Sequence, residues 1–315
     1  MATSSSSDFT RTRDQIIARA GRIIGAFKAG ETMGAQEVTD FAEALNGMVK
    51  RWSATPGMHV WTVTEATLFP QASQSQYALS VSGADHCTSG YVAMTLSAAA
   101  ASGATSLSVA STTGVTVGDY LGIVLASGAM QWTTVSAKTS TTLTPTTALT
   151  GAASSGAAVY TYTTKIVRPL KIVDWRRYSI SDGTDSSGTK PIARLDYQAL
   201  PNKAQTGTIS QIFYDPQLST GYLYLWNPPA TVTDLVKFTW HRPIQDFDNA
   251  SDNPDLPQEW LDVLAWNLAD VMAMEYDVPA ERADRISVRA MKMLEDVGGF
   301  DREAESIFAQ PDMGP

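Results

Sequence analysis

The chain has 315 residues, enough to bury sizeable cores in two or three domains, with 43% hydrophobic and only 17% charged residues. Its single cysteine, Cys87, excludes an intrachain disulfide framework and a cysteine-built zinc site, and no stretch approaches the ~18 apolar residues of a membrane span. The net charge of −9 is concentrated at one end: residues 248–315 hold 5 basic and 16 acidic residues, and no segment has the basic excess that grips nucleic acid by its phosphates.

The opening run Met1–Asp8 lacks the charged and apolar regions of a signal peptide and is expected to form a short flexible arm. Residues 10–29 read as an amphipathic helix, with Ile16, Ile17, Ala20, Ile23, Ile24 and Phe27 on one stripe. Arg11, Arg13, Arg19 and Arg22 form its polar complement, and Lys28-Ala-Gly30 is the expected stop. A second helix is expected over 35–53, with the stripe Val38, Phe41, Ala42, Leu45, Met48, Val49 and Trp52.

From about residue 59 the period changes to two, and strand-like segments continue to about 245. The clearest are 120–125, 157–163, 208–214, 221–226 and 234–241. In 221–226, Tyr222, Tyr224 and Trp226 share one face, and in 234–241 Val236, Phe238 and Trp240 do so. Residues 97–163 are rich in Ala, Ser, Thr and Gly and hold one basic residue, Lys138, and one acidic residue, Asp119. They read as a compact inserted β module whose core is Leu107, Val109, Val117, Ile123, Leu125, Trp132, Val135, Leu143 and Val159.

Helices return after the polar loop 246–255. Pro257 suits a first helical turn, and Trp260, Leu261, Leu264, Ala265, Leu268, Ala269, Met272 and Tyr276 form the next stripe. Asp277-Val-Pro279 breaks it, and a last helix is expected over 280–297. Residues 298–315 read as an extended tail with few apolar anchors, chiefly Phe300, Ile307 and Phe308. The expected fold class is α+β. N- and C-terminal helical hairpins (1–57 and 247–297) form one four-helix domain. A large, mainly antiparallel β domain (58–96 and 164–246) lies between them and carries the small module 97–163.

No catalytic constellation stands out. His59, His86 and His241 are far apart in sequence, and His86 and Cys87 are expected on opposite faces of a strand. There is no Gly-x-Ser-x-Gly elbow and no phosphate loop. The nearest approach to a calcium loop is Asp248, Asp252 and Glu259, but Ala250 and Asn253 stand where a third ligand and a glycine are needed. Catalytic residues, a bound metal and a cofactor are therefore not expected. Tyr222, Tyr224, Trp226 and Trp240 offer either a stacking platform or plain sheet core. The N-terminal arginines either touch DNA or a partner's carboxylate, or form a solvated face. Asp262, Asp270 and Glu275 project from helices whose other face is apolar, and around a ring they would form an acidic lumen that repels a duplex and lets it slide.

Leu256-Pro-Gln-Glu-Trp260, Leu264-Ala-Trp-Asn-Leu-Ala269 and Met274-Glu-Tyr-Asp-Val278 resemble the head-to-tail adaptor (connector) proteins of short-tailed bacteriophages. So do Arg13-Asp-Gln-Ile-Ile17 with Ala20 and Gly21, Ala42-Glu-Ala-Leu45, Met48-Val-Lys-Arg-Trp52, and the closing Ser306-Ile-Phe308 with Gln310-Pro311. The resemblance covers about 120 residues at the two ends and consists of packing and turn patterns. It implies a non-enzymatic virion protein of the neck, made in the host cytoplasm, that forms a dodecameric ring under the portal protein. Such a ring extends the DNA channel, helps retain the genome without reading its sequence, and offers a surface to tail nozzle or tail-tube proteins. On the same grounds Phe300, Ile307, Phe308, Gln310 and Pro311 are expected to bind the portal, and Asp262, Asp270 and Glu275 to line the channel. The other readings kept open are a tail terminator or nozzle subunit, a carbohydrate-binding module and, third, an enzyme. No membrane partner is expected.

Overall fold

A computed structural model describes residues 8–28, 30–55 and 60–300. The fold is mixed α+β, with antiparallel sheets. It divides into two compact units, Met1–Thr62 with Pro243–Pro315, and Val63–Arg242.

The first unit is helical. Its first helix, α1 (Arg13–Ile24), starts at a capping box: the Thr12 hydroxyl accepts from the Gln15 backbone N–H, and the Gln15 side chain accepts from that of Thr12. The helix ends at Gly25, not near Gly30 as the sequence reading had it. Gly25 adopts φ 79°, and its N–H satisfies the Gly21 and Arg22 carbonyls, so the chain turns five residues early. The second helix, α2, spans Ala35–Ser53 as expected.

Near the other terminus, a single 3-10 turn over Gln258–Trp260 leads into α4 (Leu261–Ala273). The last helix, α5, spans Ala280–Phe300 and so includes Gly298–Phe300, which the sequence reading had given to the tail. A short helix α3, described below, precedes these two. Residues of α1, α2, α4 and α5 share one hydrophobic core that includes Ile16, Ile17, Phe41, Leu45, Leu264 and Leu268. Trp260, 1% exposed, lies at its centre, with ring centroids 5.6 Å from Trp52 and 5.1 Å from Trp61.

Polar bonds tie the two chain ends together as well. Asn46 Nδ2 donates to the Phe247 carbonyl at 3.2 Å while its Oδ1 accepts from the Phe247 N–H at 2.9 Å. Lys50 Nζ donates to the Ile244 carbonyl at 2.8 Å and pairs with Asp246 at 2.6 Å.

The second unit is built on sheets. Val60–Thr62, expected to begin a strand, is instead a 3-10 turn, and β1 begins at Val63 and runs to Leu68. The following elements are β2 (Gln76–Leu79), β3 (Cys87–Thr88), β4 (Val92–Thr95), β5 (Leu107–Ser108), β6 (Tyr120–Val124), β7 (Met130–Lys138), β8 (Thr142–Pro145) and β9 (Ala158–Tyr162). After these come β10 (Lys171–Ser179), α3 (Arg194–Ala199), β11 (Gln211–Pro216), β12 (Gly221–Trp226) and β13 (Asp234–His241). One sheet has the order β10-β13-β1-β3 and another β11-β12-β2. Their apolar faces meet in a core holding Leu223 and Leu225 of β12 and Val236, Phe238 and Trp240 of β13.

The third sheet, β4-β9-β6-β7-β8-β5, is the inserted module. It starts at β4 and not at 97, because Val92–Thr95 pair with Ala158–Thr161. Two expected core residues are elsewhere. Val117 is 55% exposed at the turn made by Gly118 (φ 98°), and Val115 is buried in the module core. Trp132 joins a separate aromatic cluster around Phe69, Tyr160 and Tyr162.

Two substitutions probe the helical core and the aromatic cluster. Trp260→Ala should cost about 3–5 kcal/mol, as expected for a buried large aromatic. A Cβ on Gly122 would meet the Trp132 ring at 2.7 Å, and that ring is stacked 3.7 Å from His86. Gly122→Ala should therefore cost about 1–3 kcal/mol through overpacking. Urea unfolding of each variant measures both.

Candidate functional surface

The three carboxylates expected to line a channel have different surroundings. Asp262, in the first turn of α4, accepts a 2.6 Å hydrogen bond from Arg11 Nη1. Arg19 Nε lies 3.1 Å from the same oxygen, near enough for charge attraction although misaligned for a hydrogen bond. Burial raises the Asp262 pKa, but the bond and charge of Arg11, aided by Arg19, outweigh it and hold the carboxyl below its ordinary value.

Three of the four N-terminal arginines, Arg11, Arg13 and Arg19, are thus engaged within the chain, and Arg22 is exposed. Arg13 pairs with Asp14 at 2.9 Å and donates to the Asp248 carbonyl at 3.3 Å. Asp270 is half-buried, two turns further along α4, about 12 Å from Asp262 along the axis and rotated by about 80°. Glu275 is exposed, in the turn after α4. It joins Glu37 and Asp40 of α2 around Tyr276, whose pKa is raised first by burial and then by these three charges. The structure thus groups Glu275 with two carboxylates that sequence reasoning did not single out, and groups Asp262 with arginines.

On α5, Val288 and Met291 are 68% and 66% exposed. Val288, with Asp284, Arg285, Arg289 and Lys292, borders a shallow depression of about 450 Å³. The Arg289 guanidinium lies 5.8 Å from the Trp266 ring centroid. Of the expected portal-binding residues, Phe300 closes α5, while Ile307, Phe308, Gln310 and Pro311 lie outside the described residues.

The aromatic platform is rearranged. Trp240 is 3% exposed and lies in a different sheet from Tyr222, Tyr224 and Trp226, so the four do not form one surface. Tyr224 instead stacks with Phe213 of β11 and packs against Tyr197 of α3, at centroid distances of 5.6 and 5.3 Å. Arg194 caps Phe213 and pairs with Asp215. The missed helix α3 is what assembles this cluster.

In the 246–255 loop, Asp252 accepts from the backbone N–H groups of Asn249 (2.6 Å) and Asp248 (2.9 Å), the first of which leads in holding its pKa down. Asp255 accepts from the Gln245 N–H at 3.2 Å. These carboxylates therefore fasten a turn. Among the described residues no group of three or more His, Cys, Asp or Glu side chains is placed to hold a metal ion. His59 lies outside the described residues; His241 is on β13.

His86 stacks face to face on Trp132, and its Nδ1 lies 2.5 Å from the Tyr162 hydroxyl. Cys87 is buried, and its thiol pKa is pushed up by burial. Among the described residues no helix is long and apolar enough to cross a membrane. No protein-family profile matches the chain, and no curated protein is detectably similar to it.

Two titrations give stability a pH dependence. Burial, then the charge of Lys165, lowers the His86 pKa from 6.5 to about 3. The folded imidazole therefore stays neutral where the unfolded one takes a proton. Its contribution is complete above pH 6.5 and is lost as the pH falls toward 3. Asp262 adds a loss at lower pH, because its folded pKa lies below its unfolded value: its contribution is present above about pH 4 and disappears on further acidification. Urea midpoints measured down a pH series should fall below pH 6.5, and His86→Phe should flatten the fall above about pH 4.5.

Proposed function

We propose that this chain is a non-enzymatic structural protein of a phage neck, a head-to-tail adaptor whose helical unit forms a ring beneath the portal. The observation that carries this reading is the composition of the helical core. Residues from both chain ends, separated in sequence by the roughly 180-residue β unit, bury one another. The motifs that resemble the adaptor family contribute to this core: Ile16, Ile17 and Ala20, then Leu45, Met48 and Trp52, then Trp260, Leu264 and Leu268. We read this unit as the four-helix adaptor core, and the β unit as an elaboration that faces tail components.

Two patches on the helical unit favour self-assembly. The α5 patch sets Arg285, Arg289 and Lys292 against the single carboxylate Asp284 around exposed Val288, with exposed Met291 on the same helix. The patch formed by Glu37, Asp40 and Glu275 is acidic and adjoins Met274, which is 91% exposed. Unlike patches of complementary charge make a head-to-tail contact between copies, and such contacts close into rings when the rotation permits. Double-stranded DNA would then pass an acidic wall to which Asp270 contributes, since Asp262 is held by two arginines and Glu275 faces the neighbouring copy. Residues 301–315, with Ile307, Phe308, Gln310 and Pro311, would reach along the portal.

Mixing the purified chain with its portal ring should give portals capped by a second ring in negative-stain micrographs. Met291→Glu should reduce ring formation by about tenfold or more in sedimentation experiments while leaving the helical circular dichroism unchanged. A chain that stays monomeric with portal present, or a variant that assembles as well as the parent, would contradict the reading.

A further inference from the structure

A groove of about 630 Å³ opens in the β unit, between β4 and β9 of the inserted module on one side and the end of β10 with residues 232–233 on the other. Its residues come from four separate stretches of sequence. Val92 and Met94 pack on the module core, so the intervening Ala93 stands on the opposite face of β4 and is exposed in the groove.

Three tyrosines, Tyr91, Tyr160 and Tyr178, line the groove. The rings of Tyr91 and Tyr160 meet edge-to-face at 5.7 Å. Burial raises the pKa of both phenols, and the hydroxyls are close enough that Tyr178 acts electrostatically on each and Tyr91 acts on Tyr160. The three phenol side chains thus share one groove, and those of Tyr91, which also has a side-chain hydrogen bond with Thr67, and of Tyr160 stay protonated as neutral O–H groups.

Acceptors come from the other wall. Ser181 Oγ donates to Asp182 Oδ1 at 3.1 Å, and Thr233 Oγ1 donates to Asp234 Oδ2 at 3.0 Å. Each hydroxyl has spent its only proton, so it presents lone pairs to a ligand. No charged side chain is among the lining residues. The nearby ammonium of Lys237 is occupied over one face of Tyr178, 4.0 Å from the ring centroid.

This chemistry selects a class of ligand. A phosphate-bearing ligand would need a cation in the groove, and none lines it. A wholly apolar ligand would cover the Tyr160 and Tyr178 hydroxyls and the open lone pairs of Ser181 and Thr233 and cut them off from water. A neutral polyhydroxylated ligand satisfies both walls: its O–H groups donate to Ser181 and Thr233, its oxygens accept from the phenols, and its C–H faces lie on the tyrosine rings. We propose that this groove is a binding site for a neutral oligosaccharide. The site is separate from the helical unit and does not depend on the adaptor reading.

The test uses the full chain, titrated calorimetrically with maltohexaose, cellohexaose and a hexamer of N-acetylglucosamine, and with a heparin hexasaccharide as the charged control. At least one neutral hexasaccharide should bind, and the heparin probe should not. Ala93→Trp fills the groove from an exposed position and should lower affinity by about tenfold or more without changing the melting temperature. Tyr178→Ala, which removes a ring from the opposite wall, should lower it in the same direction and serves as the second variant if Ala93→Trp does not fold. The proposal is overturned if none of the three neutral hexasaccharides binds, if the folded variants bind as well as the parent, or if the heparin probe binds equally tightly.

Discussion

The rest of the helical unit depends on one burial: Trp260, enclosed by Trp52 and Trp61 from the other end of the chain. None of the helices can hide its stripe alone. On α1, Ile16, Ile17, Ala20 and Ile24 need an apolar partner, and α4 is apolar over so much of its circumference that Val263 and Ala273 are buried as well. Isolated helices of this length are marginal in water, so their stability comes from the shared core. The termini must therefore come together before either helical pair is stable. The hydrogen bonds of Asn46 to Phe247 and of Lys50 to Ile244 then fix which residues meet.

Charge follows the same logic. In sequence the acid of the last fifth of the chain looks unopposed. In the fold, Asp262 faces Arg11 and Arg19, and Asp252 and Asp255 hold backbone N–H groups. Two local groupings are smaller and more specific than a net charge: Glu275 with Glu37 and Asp40, and Arg285, Arg289 and Lys292 with Asp284 around Val288 on α5. Surface pairs such as Arg11–Asp262 contribute little to stability, of order 1 kcal/mol or less, and act mainly on register.

Much of this was legible in the residues. The 3.6 period located α2, α4 and α5, and the alternation of β12 and β13 sorted their residues into two faces without saying which is inner. The misreadings have separate causes. The start of the module was misplaced because Val92 and Met94 alternate like any strand, and only the register with β9 says which sheet they join. The six-residue helix α3 is too short to display a period, so the Tyr197–Phe213–Tyr224 cluster it builds was invisible. Val117 was taken for core because a valine beside a turn glycine looks the same from either face. The tyrosine groove escaped notice entirely, since its walls come from four distant stretches and its chemistry lies in uncharged hydroxyls that carry no motif.

The central claim is that the helical unit is the part that meets the portal and its own copies. Hydrogen–deuterium exchange of the full chain, free and bound to its portal ring, tests this most directly. The account predicts new protection over the exposed turns of α5 around 285–292 and over the turn at 274–277, with β6, β7 and β8 of the inserted module unchanged. Protection confined to the β unit, with α5 exchanging as in the free chain, would contradict it.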